Sequence, residues 1–187
     1  MQEDLNFFVE HAEEQMEHAL EHLQRELIKV RTGKASTSLV DGLLVPYYGH
    51  PTPVTQVANV SVSDARTVII QPWERNMIAP IEKSIMEANL GMTPQNDGEV
   101  IRLSIPPLTE ERRKDLVKQS KHLGEETKVG IRSARRDAME HIKKAVKNGA
   151  PEDLGKRKEQ DVQDLTNKYS DKVDKMLEAK EKDILTV

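Results

Sequence analysis

The stretch IRSARRDA, Ile131 to Ala138, sets Arg132, Arg135 and Arg136 within five positions of one another. A guanidinium is a planar fork of donors that can hold two phosphate oxygens at once, whereas lysine offers a point charge. Such a cluster is either an ordinary solvated helix face or a surface made to hold a polyanion. Bulk charge does not favour the second reading, because Lys+Arg 28 against Asp+Glu 32 leaves a formal net charge of −4. A polyanion site must therefore come from segregation of charge along the chain. Segregation is present: residues 1–30 hold two basic and eight acidic residues, and residues 109–147 hold twelve basic and seven acidic. Residues 31–108 (six against seven) and 151–187 (eight against ten) are close to balance. One segment alone is positive, and it contains the arginines.

On a helical wheel of about 100° per residue, Lys114, Lys118, Lys121, Lys128, Arg132, Arg135, Arg136 and Lys143 share a sector about 100° wide, into which Glu125 intrudes. Asp115, Glu126, Asp137 and Glu140 lie in the neighbouring sector. A charge run often only solvates a helix or supports i,i+4 pairs. Sorting into a single basic sector goes beyond that and matches the electrostatic footprint of nucleic-acid binding.

Other residue types offer less chemistry. No cysteine is present, which excludes disulfide frameworks, thiolate zinc sites and cysteine nucleophiles. His18 and His22 have the i,i+4 spacing of a metal pair, with His11 seven residues before His18, but no third ligand accompanies them. The segment RTGKAS lacks the GxxxxGK[ST] spacing of a phosphate-cradling loop, and no GxSxG nucleophile elbow occurs. Trp73, alone of its kind, is expected to pack inside its domain rather than stack on a base. The acidic N-terminus without a long apolar run reads as neither signal peptide nor membrane anchor, so a cytoplasmic protein is expected. The sequence makes no case for catalysis, a cofactor or a metal.

The elements that position the arginines follow from hydrophobic period. Leu5, Val9, Ala12, Met16, Ala19, Leu23 and Leu27 step by three and four residues and predict one long amphipathic helix ending near Val30. A second is predicted from Thr109, a plausible N-cap, with its apolar line at Leu116, Leu123, Ile131, Ala134, Ala138, Ile142 and Ala145 and a break at Asn148 to Pro151. A third follows, with Val162, Leu165, Tyr169, Val173 and Met176 facing inward. Three helices with narrow apolar stripes must cover one another in a bundle. Between the first two the texture changes. LLVPYYGHPTPVTQVANVSVSDARTVIIQPW reads as short strands with turns at YGHP and SD, MIAPIEKSIMEANLG as a short helix closed by Gly91, and EVIRLSIPP as another strand. The predicted fold class is α+β: a long three-helix bundle over residues 1–31 and 107–187, with a small β/α domain, residues 32–106, inserted. Two connections, at residues 31–36 and 105–107, would form a hinge carried by Thr32, Gly33, Pro106 and Pro107.

Along essentially its whole length the chain resembles the ribosome recycling factor family. The resemblance rests on VRTGKAS, YYGHPTPVTQVANVSV, DARTVIIQPWE, IEKSIMEANLGMTP, IRLSIPPLTEERRKDLVKQ and IRSARRDA, in that order. It implies an L-shaped, tRNA-like monomer that is not an enzyme. Such a factor binds the large-subunit RNA of the ribosome after peptide release. It acts with elongation factor G and GTP to separate the subunits and to free messenger and deacylated transfer RNA, the GTP being hydrolysed by the partner. It also implies rRNA contacts at Arg132, Arg135 and Arg31. Lys34 stands where many relatives have arginine, which keeps the charge but not the bidentate fork. With the basic sector, the expected rRNA-binding set is Arg132, Arg135, Arg136, Arg31, Lys34, Lys128, Lys121 and Lys118. The bundle would be the anchor and the inserted domain the lever. Two rival classes remain at this level: a helical adaptor for an acidic protein, and an enzyme with its pocket in the inserted domain.

Overall fold

The computed structural model describes residues 2–30 and 32–186. In chain order the helices are α1 (Gln2–Lys29), α2 (Ile78–Glu87), α3 (Glu110–Lys147) and α4 (Glu152–Leu185). The strands are β1 (Leu44–Tyr47), β2 (His50–Pro53), β3 (Ala58–Asp64), β4 (Thr67–Pro72), β5 (Pro94–Asn96) and β6 (Ile101–Ser104). Two compact units result, one of residues 1–31 and 110–187 and the other of residues 32–109. The class is α+β, as the alternation of hydrophobic periods predicts.

In the first unit α1, α3 and α4 bundle around two layers of core. Met16, Leu23, Leu27, Ile131, Ala134, Tyr169 and Val173 form one layer. Leu5, Ala12, Ala138, Ile142, Ala150 and Val162 form the other. With 38 residues, α3 is about 57 Å long at 1.5 Å per residue, so it can display a continuous charged sector. Gly149, at φ +110°, and Pro151 end α3 and start α4, as the NGAP break predicts.

Leu123 and Ala145 of the apolar line of α3 pack half-buried against the two core layers, and Ser120, Gly124 and Thr127, which that line does not include, are buried beside it. Helix proximity explains the addition. A Cβ at Gly124 would collide with Leu177 of α4, its Cγ lying 2.9 Å away, so only hydrogen fits there. The Thr127 hydroxyl is satisfied within its own helix by the Leu123 carbonyl at 3.0 Å.

The second unit is built on the antiparallel sheet β3-β4-β6-β5, with β1 and β2 as a separate hairpin. Val68 and Ile70 of β4 and Ile101 and Leu103 of β6 point into a core shared with Ile81 and Ile85 of α2. Three details depart from the sequence reading. Strand β5 was not foreseen, because PQN lacks the β-branched residues that mark strands. Helix α2 ends at Glu87, and two left-handed residues follow it, Asn89 at φ 49° and the expected Gly91 at φ 76°; asparagine tolerates that conformation. Trp73 is 60% exposed rather than packed inside. Pro72, the last residue of β4, is buried, so the two-residue alternation turns Trp73 outward.

Candidate nucleic-acid interface

The basic residues of α3 share one helix face because the neighbouring face is committed to the core. Ile131, Ala134, Ala138 and Ile142 are all buried, and the basic sector is centred about 110° from them at 100° per residue. Arg132 and Arg136 are exposed and Arg135 is half-buried. Farther up the helix Lys118 and Lys121 are exposed and Lys128 is half-buried.

Each arginine is held differently. Arg132 Nη2 donates to Glu125 Oε1 at 3.0 Å, two turns back on the same helix, with side chains 47% and 63% exposed. Glu125 is an acid inside the basic sector, so it competes for the guanidinium that its neighbours would present to a polyanion. Arg135 leans toward α4 and donates through Nη1 to Gln163 Oε1 at 3.2 Å, and Gln163 in turn donates to Asn167 Oδ1 at 3.0 Å. A neutral acceptor leaves the Arg135 charge uncompensated while fixing the direction of its fork. Lys128 pairs with Asp174 of α4, so part of its charge is neutralised inside the unit. Arg135, Arg136 and Lys143 line an open cavity of about 570 Å3 with Met139, Glu140 and Glu159. Three cations against two carboxylates give that concavity a positive balance.

Not every expected contact residue falls here. Arg31 lies outside the described residues. Lys34 is half-buried and belongs to the second unit. Of the expected hinge residues, Thr32 and Gly33 are half-buried and Pro106 and Pro107 are exposed. Gly33 sits at φ +75° with the site of its absent Cβ 2.8 Å from Leu108 Cγ, so both conformation and space favour glycine. Sequence reasoning missed the α4 partners Gln163, Asn167 and Asp174. The i,i+4 pair Gln163 and Asn167 was visible, but which side of α4 borders the basic sector depends on how the two helices pack. Among the described residues no cluster of three His, Cys, Asp or Glu could hold a metal ion, and no helix is long and apolar enough to cross a membrane.

Comparison with known proteins gives a consistent answer. A family model described as ribosome recycling factor matches residues 23–185. The ribosome-recycling factor of Flavobacterium johnsoniae is 49% identical over 187 residues, covering 100% of both chains. That of Porphyromonas gingivalis is 53% identical over 173 residues, covering 92% of this chain and 93% of its own. A solution structure of a ribosome recycling factor superposes with a TM-score of 0.82 at 41% identity, covering 98% of each chain. A second solved structure describes the T. thermophilus ribosome recycling factor and E. coli elongation factor G bound to the E. coli post-termination complex; it matches with a TM-score of 0.64 at 40% identity, over 97% of this chain and 99% of that one.

Proposed function

The chain belongs to the ribosome recycling factor family, and from that premise we propose that its α3 basic sector is what holds it on ribosomal RNA. It is a ribosome recycling factor: it binds the post-termination ribosome and, with elongation factor G and GTP, promotes separation of the subunits and release of messenger and deacylated transfer RNA. The observation that carries the RNA assignment is a positive sector of one exposed helix face on a chain whose net charge is −4. Net repulsion from RNA makes local attraction the only electrostatic source of affinity, and phosphate contacts are the dominant one.

Within that sector Arg132, Arg135 and Arg136 supply the bidentate contacts, and Lys118, Lys121 and Lys128 extend the field along the helix. Arg31 and Lys34 add contacts beyond α3. The bundle, residues 1–31 and 107–187, is the anchor; the β/α part, residues 32–106, is the lever through which the GTPase partner acts. Thr32, Gly33, Pro106 and Pro107 form the hinge. Support for that division comes from the separate core of the second unit and from the constrained backbone at Gly33. The chain itself is non-catalytic and needs no cofactor, GTP hydrolysis belonging to the partner, and it works in the cytoplasm as a monomer.

The test is light scattering of post-termination ribosomes mixed with elongation factor G and GTP, with and without this chain. Splitting that requires the chain and is lost in the Arg132→Ala, Arg135→Ala double variant supports the reading. Splitting indifferent to the chain overturns the function, and splitting unaffected by the double variant overturns the site.

A further inference from the structure

The helix that flanks the basic sector, α4, has a charge pattern of its own. Glu159, Gln163, Asn167, Ser170 and Asp174 share a sector about 80° wide at about 100° per residue, and this row borders the basic face of α3. Glu159 lines the open cavity with Arg135 and Arg136, Gln163 accepts from Arg135 at 3.2 Å, and Asp174 holds Lys128. The row is acidic at both ends and uncharged between them. Acids are not scarce on α4, since residues 151–187 hold ten, but Asp161, Asp164 and Asp171 fall outside the row.

What stands opposite an arginine decides how much of its charge a polyanion meets. Arg132 faces Glu125 and must break an ion pair to reach a phosphate. Arg135 faces an amide. A guanidinium only donates, so Gln163 can meet it only with Oε1, and the NH2 of Gln163 is left to find an acceptor of its own. Asn167 supplies one, its Oδ1 accepting from Gln163 Nε2 at 3.0 Å. This chain of two amides fixes which way Gln163 points. The bond takes a single N–H of Arg135, whose half-buried side chain lines the open cavity with donors left for a bidentate contact.

We propose that Gln163, oriented by Asn167, is a positioning residue for Arg135: it holds the guanidinium in the direction from which it meets an RNA phosphate, and its neutrality leaves the whole charge for that phosphate. Holding the fork beforehand lowers the ordering cost that a long, rotamer-rich side chain meets on binding. A carboxylate in the same place holds the fork but neutralises it, which is the situation of Arg132. The inference rests on the recycling reading, in which Arg135 contacts ribosomal RNA, and adds to that site two residues of a second helix.

A double-mutant cycle on ribosome affinity tests it, each variant being measured in the wild-type and in the Arg135→Ala background at fixed salt. Gln163→Met keeps the length and the helix propensity but removes the acceptor. It should weaken binding about two- to tenfold in the wild-type background, and by less than about 1.5-fold where Arg135 is already absent. Gln163→Glu keeps an acceptor and adds a charge, and it should also bind more weakly than wild type. Nitrogen-detected NMR of the free chain supplies a readout that a merely structural role does not move: the Arg135 guanidinium should rotate more slowly about its Nε–Cζ bond in wild type than in Gln163→Met or Asn167→Leu. No loss from Gln163→Met in the wild-type background, an equal loss in both backgrounds, or equal rotation rates in all three chains overturns the positioning role. Binding by Gln163→Glu as tight as wild type overturns the part played by neutrality. Arg135→Ala binding as tightly as wild type removes instead the RNA site on which the inference rests, and the inference with it.

Discussion

Replacing Glu125 with glutamine should strengthen ribosome binding, and the structure sets the size of the gain. In the free protein the Arg132 guanidinium is engaged by Glu125 at 3.0 Å, both side chains being substantially exposed. An exposed pair of this kind stabilises by about 0.2–1 kcal/mol, and Arg132 must give it up to face a phosphate. The displaced carboxylate then remains in the basic sector, near the phosphate that Arg132 holds. In water the repulsion of two unit charges at a separation of about 7 Å is about 0.6 kcal/mol, and a Debye length of about 8 Å at physiological ionic strength reduces it to about a quarter of a kcal/mol. Together the two effects make Glu125→Gln bind about two- to eightfold more tightly, at about 1.4 kcal/mol per decade. The fold should be indifferent, because glutamine keeps the shape, the exposure and the helix propensity. The assay is equilibrium binding of labelled protein to ribosomes at fixed salt, with Glu126→Gln as control. Glu126 pairs with His122 at 3.0 Å and lies outside the basic sector, so its loss should change affinity much less. Equal or weaker binding by Glu125→Gln, or an equal gain from Glu126→Gln, would refute the claim that Arg132 leaves Glu125 for RNA.

Three further outcomes concern the packing of α3 and the turn between β5 and β6. Gly124→Ala and Gly130→Ala should move stability in opposite directions by urea denaturation. At Gly124 the new methyl meets Leu177, and overpacking of about 1–3 kcal/mol outweighs a helix-propensity gain of about 1 kcal/mol. At Gly130 the nearest atom, the Ala19 Cβ, is 3.9 Å away, so the propensity gain stands alone; a common sign would contradict the close approach of α3 and α4. Ser120 is buried with its hydroxyl unpartnered, so Ser120→Ala should stabilise by about 1 kcal/mol in the same assay, and a loss would mean the hydroxyl has a partner. Asp97 is held below its ordinary 3.8 by backbone N–H groups of Val100 and then Glu99, with Arg102 adding to them. A depressed folded pKa gives stability present above 3.8 and lost as pH falls through the folded value. The stability gap between wild type and Asp97→Ala should therefore narrow below pH 3.8, and a gap that widens on acidification would refute that account.

Much of this was legible because charge and hydrophobicity were sorted by period. The basic sector of α3, the three long helices and the two turns flanking the β1–β2 hairpin and the β3–β4 pair follow from the wheel, from NGAP and from YGHP and SD. The exceptions have a common cause: they depend on what approaches from another element. Ser120, Gly124 and Thr127 look like surface residues until α4 comes close enough to exclude a side chain at Gly124. Trp73 looks like core until the register of β4 turns it outward. Gln163 became part of the candidate site only because α4 packs with that side against Arg135. Strand β5 carries no strand-forming residues and exists because β6 offers it an edge, Gln95 pairing with Arg102.

The central claim is that α3 grips RNA through direct phosphate contacts rather than steering the chain toward it. Ribosome association and dissociation rates across a salt series, for wild type, Arg132→Ala, Arg135→Ala and Lys168→Gln, separate the two most directly. Each phosphate contact releases condensed counterion, so the logarithm of affinity should fall linearly with the logarithm of salt, and each arginine variant should lower that slope by about one. Steering would appear chiefly in association, whereas lost contacts accelerate dissociation, here by about tenfold or more for a charge-assisted bond of about 1.5–3 kcal/mol. Lys168, on α4 beside Tyr169 and outside the α3 sector, should leave both slope and rates unchanged. The account predicts shallower slopes and faster release for the two arginine variants alone; dissociation rates that match wild type in both would contradict it.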